Sequence, residues 1–130
     1  MNDEPSVIRA AEAATDWLID KGYTNVLVEV ANEADNAGFK HDVIKPSGGA
    51  VQLIERLKAR SKNRVASPAG RLLVSTSLNG GRVPTDSLVG AVDFVLLHGN
   101  GVADPARITQ MVDETRKLPN YRGQPIVFNE

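Results

Sequence analysis

Four short runs rich in valine, leucine and isoleucine, separated by stretches of helical periodicity, set the tightest limit on this fold. The runs are "NVLVEVANE" (25–33), "RLLVSTS" (71–77), "VDFVLLHG" (92–99) and "PIVFN" (125–129). Each is too short for a stable helix and dense enough in apolar residues to suit a strand covered on both faces. Helix signals lie between them. Asp3-Glu4-Pro5-Ser6 opens the first helix with capping side chains, early acids and a proline whose missing N–H does no harm. Val7, Ala11, Ala14 and Leu18 share one stripe, and the neighbouring Trp17 is expected in the helix–sheet core. Lys21-Gly22 ends that helix. A second helix is expected over 47–61, burying Val51, Leu53, Ile54 and Leu57, and a short apolar piece lies near Leu88. Asp104-Pro105 starts the last helix, with Ile108, Met111, Val112 and Thr115 inward, up to about Leu118. Strands alternating with helices argue for parallel pairing through right-handed crossovers. The chain therefore reads as one α/β domain spanning residues 1–130, either a doubly wound sheet or a piece of a barrel.

Composition narrows the partners. With 42% apolar and 24% charged residues and a net charge of −1, the chain carries no basic footprint for nucleic acid or an anionic membrane. The absence of cysteine excludes disulfides, thiolate zinc sites and a cysteine nucleophile. No apolar run approaches the roughly 18 residues of a membrane span. The N-terminus, "MNDEPSVIRAAEAATDW", lacks the basic start and apolar core of a secretory signal, which leaves the location cytoplasmic or unassigned.

In a parallel α/β fold the functional groups stand at the C-terminal ends of the strands. Here those ends carry Asn32-Glu33, then Ser75-Thr76-Ser77 with Asn79, then His98-Gly99-Asn100, then Asn129-Glu130. One Asn-Glu dipeptide is a common turn or helix start. Two at matching strand ends deliver a carboxylate pair to one rim, the pattern that glycoside hydrolysis needs. Asp35, His41 and Asp42 fit no metal template and read as a solvated loop, so neither a metal nor a cofactor is expected. Neither a dinucleotide fingerprint nor a P-loop follows any strand; "HGNGVADP", two glycines at a strand end before a helix, comes nearest, and Asp104 at its cap would repel a phosphate. Glu29 lies mid-strand and, if buried, needs a partner such as Lys62, Arg64 or Arg71.

"VLVEVANEAD" and "PIVFNE" resemble the acid/base strand and the nucleophile strand of clan A glycoside hydrolases, cellulase-like (β/α)8 barrels. "LLHGNGVADPARI" is similar to the strand between them in bacterial members of that group. The resemblance spans the chain but only about half of the family's barrel, from the helix before its fourth strand to the end of its seventh. It implies a half TIM barrel of about four parallel strands. It implies Glu33 as acid/base and Glu130 as nucleophile of retaining hydrolysis, with Asn32, His98 and Asn129 toward the carbohydrate.

A half-barrel leaves Leu73, Phe94 or Val95, and Ile126 or Val127 without an opposite wall, and its outer strands, 26–31 and 125–129, as unpaired edges. Each large apolar side chain left exposed forfeits about 1.5–3 kcal/mol. A homodimer or a complementary half-barrel is therefore expected to cover this face, unless an open flavodoxin-like sheet covers itself. The isolated chain is expected to be inactive, because Glu130 ends the chain and the rest of the cleft is missing. The competing expectation is a non-catalytic self-assembling or binding module.

Overall fold

The computed structural model describes residues 3–130. In chain order the elements are α1 (Glu4–Asp20), β1 (Leu27–Glu29), a 3-10 turn at Asp42–Ile44, α2 (Ala50–Ser61), β2 (Leu73–Ser75), α3 (Asp86–Ala91), β3 (Val95–Leu97), α4 (Pro105–Arg116) and β4 (Ile126–Phe128). The helix starts are where the side chains dictate. Asp3 accepts the Ser6 N–H at 2.8 Å, Asp104 accepts the Ala106 N–H at 2.9 Å, and Thr85 caps α3 through the Leu88 N–H at 3.3 Å. No helix of the described residues is long and apolar enough to cross a membrane.

The fold is α/β, with the strands in two parallel pairs. In β1 and β2, Leu27, Val28 and Glu29 stand opposite Leu73, Val74 and Ser75. In β3 and β4, Val95, Leu96 and Leu97 stand opposite Ile126, Val127 and Phe128. All four expected strands are present, each only three residues long. The ladder breaks between β2 and β3, where the Asp93 side chain takes the place of a backbone acceptor. Its carboxylate receives the Val74 N–H at 2.8 Å while its own N–H donates to Val74 O at 3.0 Å. Ser75 Oγ adds a bond to Phe94 O at 2.6 Å. Arg71 grips the same carboxylate with two bonds of 2.7 Å, and Lys58 stands 3.6 Å away. Burial pushes the Asp93 carboxyl upward, but Arg71, the Val74 N–H and Lys58 together outweigh it and hold the group below its usual range.

The core lies between the strands and α2, α3 and α4. Ile54, Leu57, Val74, Leu88, Leu97 and Met111 are fully enclosed there. Val28 packs into the same cluster, so by alternation Leu27 and Glu29 face away from the helices. Helix α1 lies on α2 and is tied to it by charges at helical spacing. Glu12 pairs with Arg56 at 2.6 Å, and Asp16 receives both Arg60 and Arg64.

Two expectations fail. Trp17 is 52% exposed rather than buried, tilted beside Tyr23 with ring centroids 5.7 Å apart. The packed stripe of α1 is Val7, Ile8, Ala11, Leu18 and Ile19, which leaves Trp17 at its margin. Glu29 pairs with no cation among the described residues. Arg64 is engaged by Asp16, Arg71 by Asp93, and Lys62 pairs with none of the described residues.

Candidate functional site

The rim is assembled by hydrogen bonds that continue each parallel pair beyond its ladder. On the β1–β2 side, Thr76 Oγ1 donates to Ala31 O at 2.7 Å and the Ala34 N–H donates to Ser77 O at 2.9 Å. Ser77 Oγ accepts the Glu33 N–H at 2.8 Å and donates to Asn32 Oδ1 at 3.4 Å. These bonds hold Glu33 at φ +50°, a left-handed conformation that is costly for a residue with a Cβ. Such strain persists only where the surroundings impose it, and functional sites are where it gathers. On the β3–β4 side, the Gly99 N–H donates to Glu130 O at 2.7 Å and fixes the backbone of the last residue.

Between the two glutamates stand His98 and Asn100. The Asn100 amide donates to Glu33 Oε1 at 3.1 Å and to Glu130 Oε2 at 3.2 Å, bridging the pair. His98 is fully buried, and its Nδ1 lies 3.4 Å from Glu33 Oε1 and 3.6 Å from Glu130 Oε2. With two carboxylate oxygens facing Nδ1, that nitrogen carries the proton. The asparagine bridge, then His98, draw the Glu33 carboxyl below its ordinary value, so Glu33 is ionised at neutral pH. Asn100 is itself positioned by the loop after β2. A side chain at Gly80 would overlap the Asn100 backbone, and the Gly81 N–H donates to His98 O at 2.9 Å.

The expected residues are therefore brought together unequally. Glu33, Glu130 and His98 form one cluster, with one ligand atom from each lying within 4.8 Å of the others. Asn32 is exposed beside Glu33 on the Ser77 hydroxyl. Asn129 is exposed, and its side chain bonds to none of the described residues. Asn100, which binds both carboxylates, was not among the expected site residues. Its place at a strand end next to His98 is the one sequence signal that points to it.

The same three groups are the cluster among the described residues that offers a metal-like donor set. The histidine argues against that use. A ligating imidazole donates its remote N–H to an acceptor, whereas His98 Nε2 is buried without a partner. The loop candidates are no better: Asp35 accepts the Asn79 N–H and side-chain amide, and Asp42 pairs with Lys45. Asn32, Glu33, Asn36, Gly38 and Phe39 line an open cleft of about 360 Å³ at the rim. A larger cleft of about 620 Å³ lies beyond Asp35, against Lys45, Arg82 and Arg107, and includes neither glutamate of the cluster.

No protein-family model matches the chain, and no curated protein or solved structure matches it either. The functional reading therefore rests on the geometry of the rim.

Proposed function

We propose that this chain is a glycoside-hydrolase-like half-barrel, whose Glu33 and Glu130 act as acid/base and nucleophile in retaining hydrolysis once a second wall closes the cleft. One observation carries the reading: two glutamates from different strand pairs present carboxylate oxygens within 4.8 Å of each other, bridged by Asn100. Retaining enzymes hold their carboxyl groups roughly 5–5.5 Å apart, inverting ones roughly 6.5–9.5 Å.

In this reading Glu130 attacks the anomeric carbon as the bond to the leaving oxygen breaks, and Glu33 gives that oxygen a proton. Water then displaces Glu130, and Glu33 takes the proton from the water. Asn32 and the exposed Asn129 border the carbohydrate, Phe39 offers the cleft an apolar surface, and His98, expected to face the sugar, is fully buried and acts only behind the two carboxylates. The ionised state of Glu33 suits the second step and opposes the first. A wall that excludes water would raise its carboxyl toward the protonated form, so the isolated chain is inactive. A second reading, a non-catalytic assembly or binding module, draws on the exposed Leu27, Val127 and Phe128 of the outer strands. Self-association that survives Glu33→Gln would favour it.

The test is calorimetric titration of the chain with a panel of iminosugars, whose cationic nitrogen sits where positive charge develops in glycoside cleavage. Binding that weakens at least about tenfold in both Glu33→Gln and Glu130→Gln is expected, each lost charge–charge contact being worth about one decade or more. No binding across the panel, or binding indifferent to both substitutions, contradicts the proposal.

A further inference from the structure

The sheet face turned away from the helices carries one charge with no counterpart. Glu29 stands in register with Ser75, whose side chain is buried and whose hydroxyl is committed to Phe94 O. Glu29 Oε1 is itself buried, with no hydrogen-bond partner among the described residues. Of the cations that sequence spacing offered, Arg64 is engaged by Asp16 and Arg71 by Asp93, and Lys62 forms no ion pair among the described residues. A buried carboxylate oxygen without a donor is rare in a finished protein, because removing it from water is compensated only by a partner.

We infer that Glu29 selects the wall that closes this face: a complementary set of strands presenting a guanidinium or ammonium at the level of Glu29, and not a second copy of this chain. The inference rests on the half-barrel reading and deepens it by naming the partner's chemistry. A second copy would close with twofold symmetry, each β4 beside the other's β1. It would carry its own Glu29 to the opposite side of the same interior layer. The interior of an eight-strand barrel is only wide enough for side chains to fill. Two carboxylates would then face each other there. The positions that share this face by alternation and register, Leu73, Ser75, Phe94, Leu96 and Val127, hold no cation to separate them. Like charges in such a space oppose closure. An inward-pointing charge on an edge strand is also a recognised barrier to self-pairing. Ser75, Phe94 and Leu96 are buried within the chain, so the surface left to a wall is the apolar margin of Leu27, Leu73 and Val127 beside half-buried Glu29, and a wall bearing one matched cation complements it.

The experiment is light scattering across a concentration series for the unaltered chain, the Glu29→Arg variant, their equimolar mixture and the Glu29→Gln variant. The unaltered chain and Glu29→Arg are each expected to stay at the mass of one chain, and the mixture to reach the mass of two. Glu29→Gln is expected to self-associate at least about tenfold more tightly than the unaltered chain, and it carries the test alone if Glu29→Arg fails to fold. An unaltered chain that dimerises at micromolar concentration overturns the inference and leaves the half-barrel reading standing. A mixture that stays monomeric while Glu29→Gln associates overturns the cation requirement. No association in any sample overturns the half-barrel reading itself.

Discussion

Strands β2 and β3 are enclosed, while β1 and β4 each keep a side open. Every residue of β3 is buried, and so are Val74 and Ser75 of β2. In the outer strands Leu27, Val127 and Phe128 are 60%, 36% and 37% exposed. Length does not explain the difference, since all four strands have three residues. Position does: α2 and α3 cover the inner strands, and Asp93 clasps one to the other. The rim cluster spans both regions. Ser77 and His98 follow inner strands, whereas Glu33 and Glu130 follow outer ones. Burial is thus concentrated on the strands that anchor Ser77 and His98, and Glu33 and Glu130 follow the less covered strands.

The comparison breaks most visibly in the core. Ile54→Ala, at a site with no exposure, is expected to cost about 3–4 kcal/mol, against under about 1 kcal/mol for Leu27→Ala in the outer strand. Chemical denaturation of the two variants measures this, and equal losses would erase the distinction. Next comes the clasp. Asp93→Asn leaves Arg71 without its carboxylate partner and is expected to cost about 2–4 kcal/mol. The folded Asp93 carboxyl lies below its ordinary 3.8, so its contribution is complete above that pH and disappears as pH falls through the lower folded value. Acid unfolding of Asp93→Asn should lack this component, giving a flatter loss of stability below pH 3.8.

Smaller effects mark the rim. Glu33→Gly releases the left-handed strain at φ +50° and is expected to leave stability unchanged or raise it by up to about 1 kcal/mol, while iminosugar binding is lost. A clear loss of stability would mean that Glu33 is kept for the fold. Gly80→Ala is expected to displace Asn100 and weaken iminosugar binding, with a stability change of roughly 1–2 kcal/mol. Unchanged binding would show that the asparagine bridge is not needed to set the pair.

Much of this was legible in the sequence where signals are local. Asp3 and Asp104 cap helices because a short polar side chain before a helix start has few other roles, whereas the Thr85 cap of α3 was not read from the sequence. The apolar runs place four strands, and strand ends place Glu33, His98 and Glu130 on one rim. What depends on tertiary neighbours was hidden. Asp93 lies inside the run expected as the third strand and nothing in the sequence singles it out, yet it substitutes for a ladder acceptor, binding the N–H of Val74, 19 residues away. Trp17 reads as core because it neighbours the apolar stripe of α1, and its exposure follows from which side of α1 is packed. Glu29 reads as half of an ion pair, and the partner is not among the described residues. Asn100 became a site residue only when two strand ends, 30 residues apart for Glu130 and 67 for Glu33, met at its amide.

The measurement that bears most directly on the rim is a carbon-detected NMR pH titration of the Glu33 side-chain carboxyl in the unaltered chain and in Asn100→Ala. A pair held together by Asn100 and His98 predicts a Glu33 value below its ordinary 4.5, rising toward it when the asparagine is removed. A Glu33 that titrates at or above 4.5, and does not respond to Asn100→Ala, would contradict the preformed carboxylate pair on which the functional reading stands.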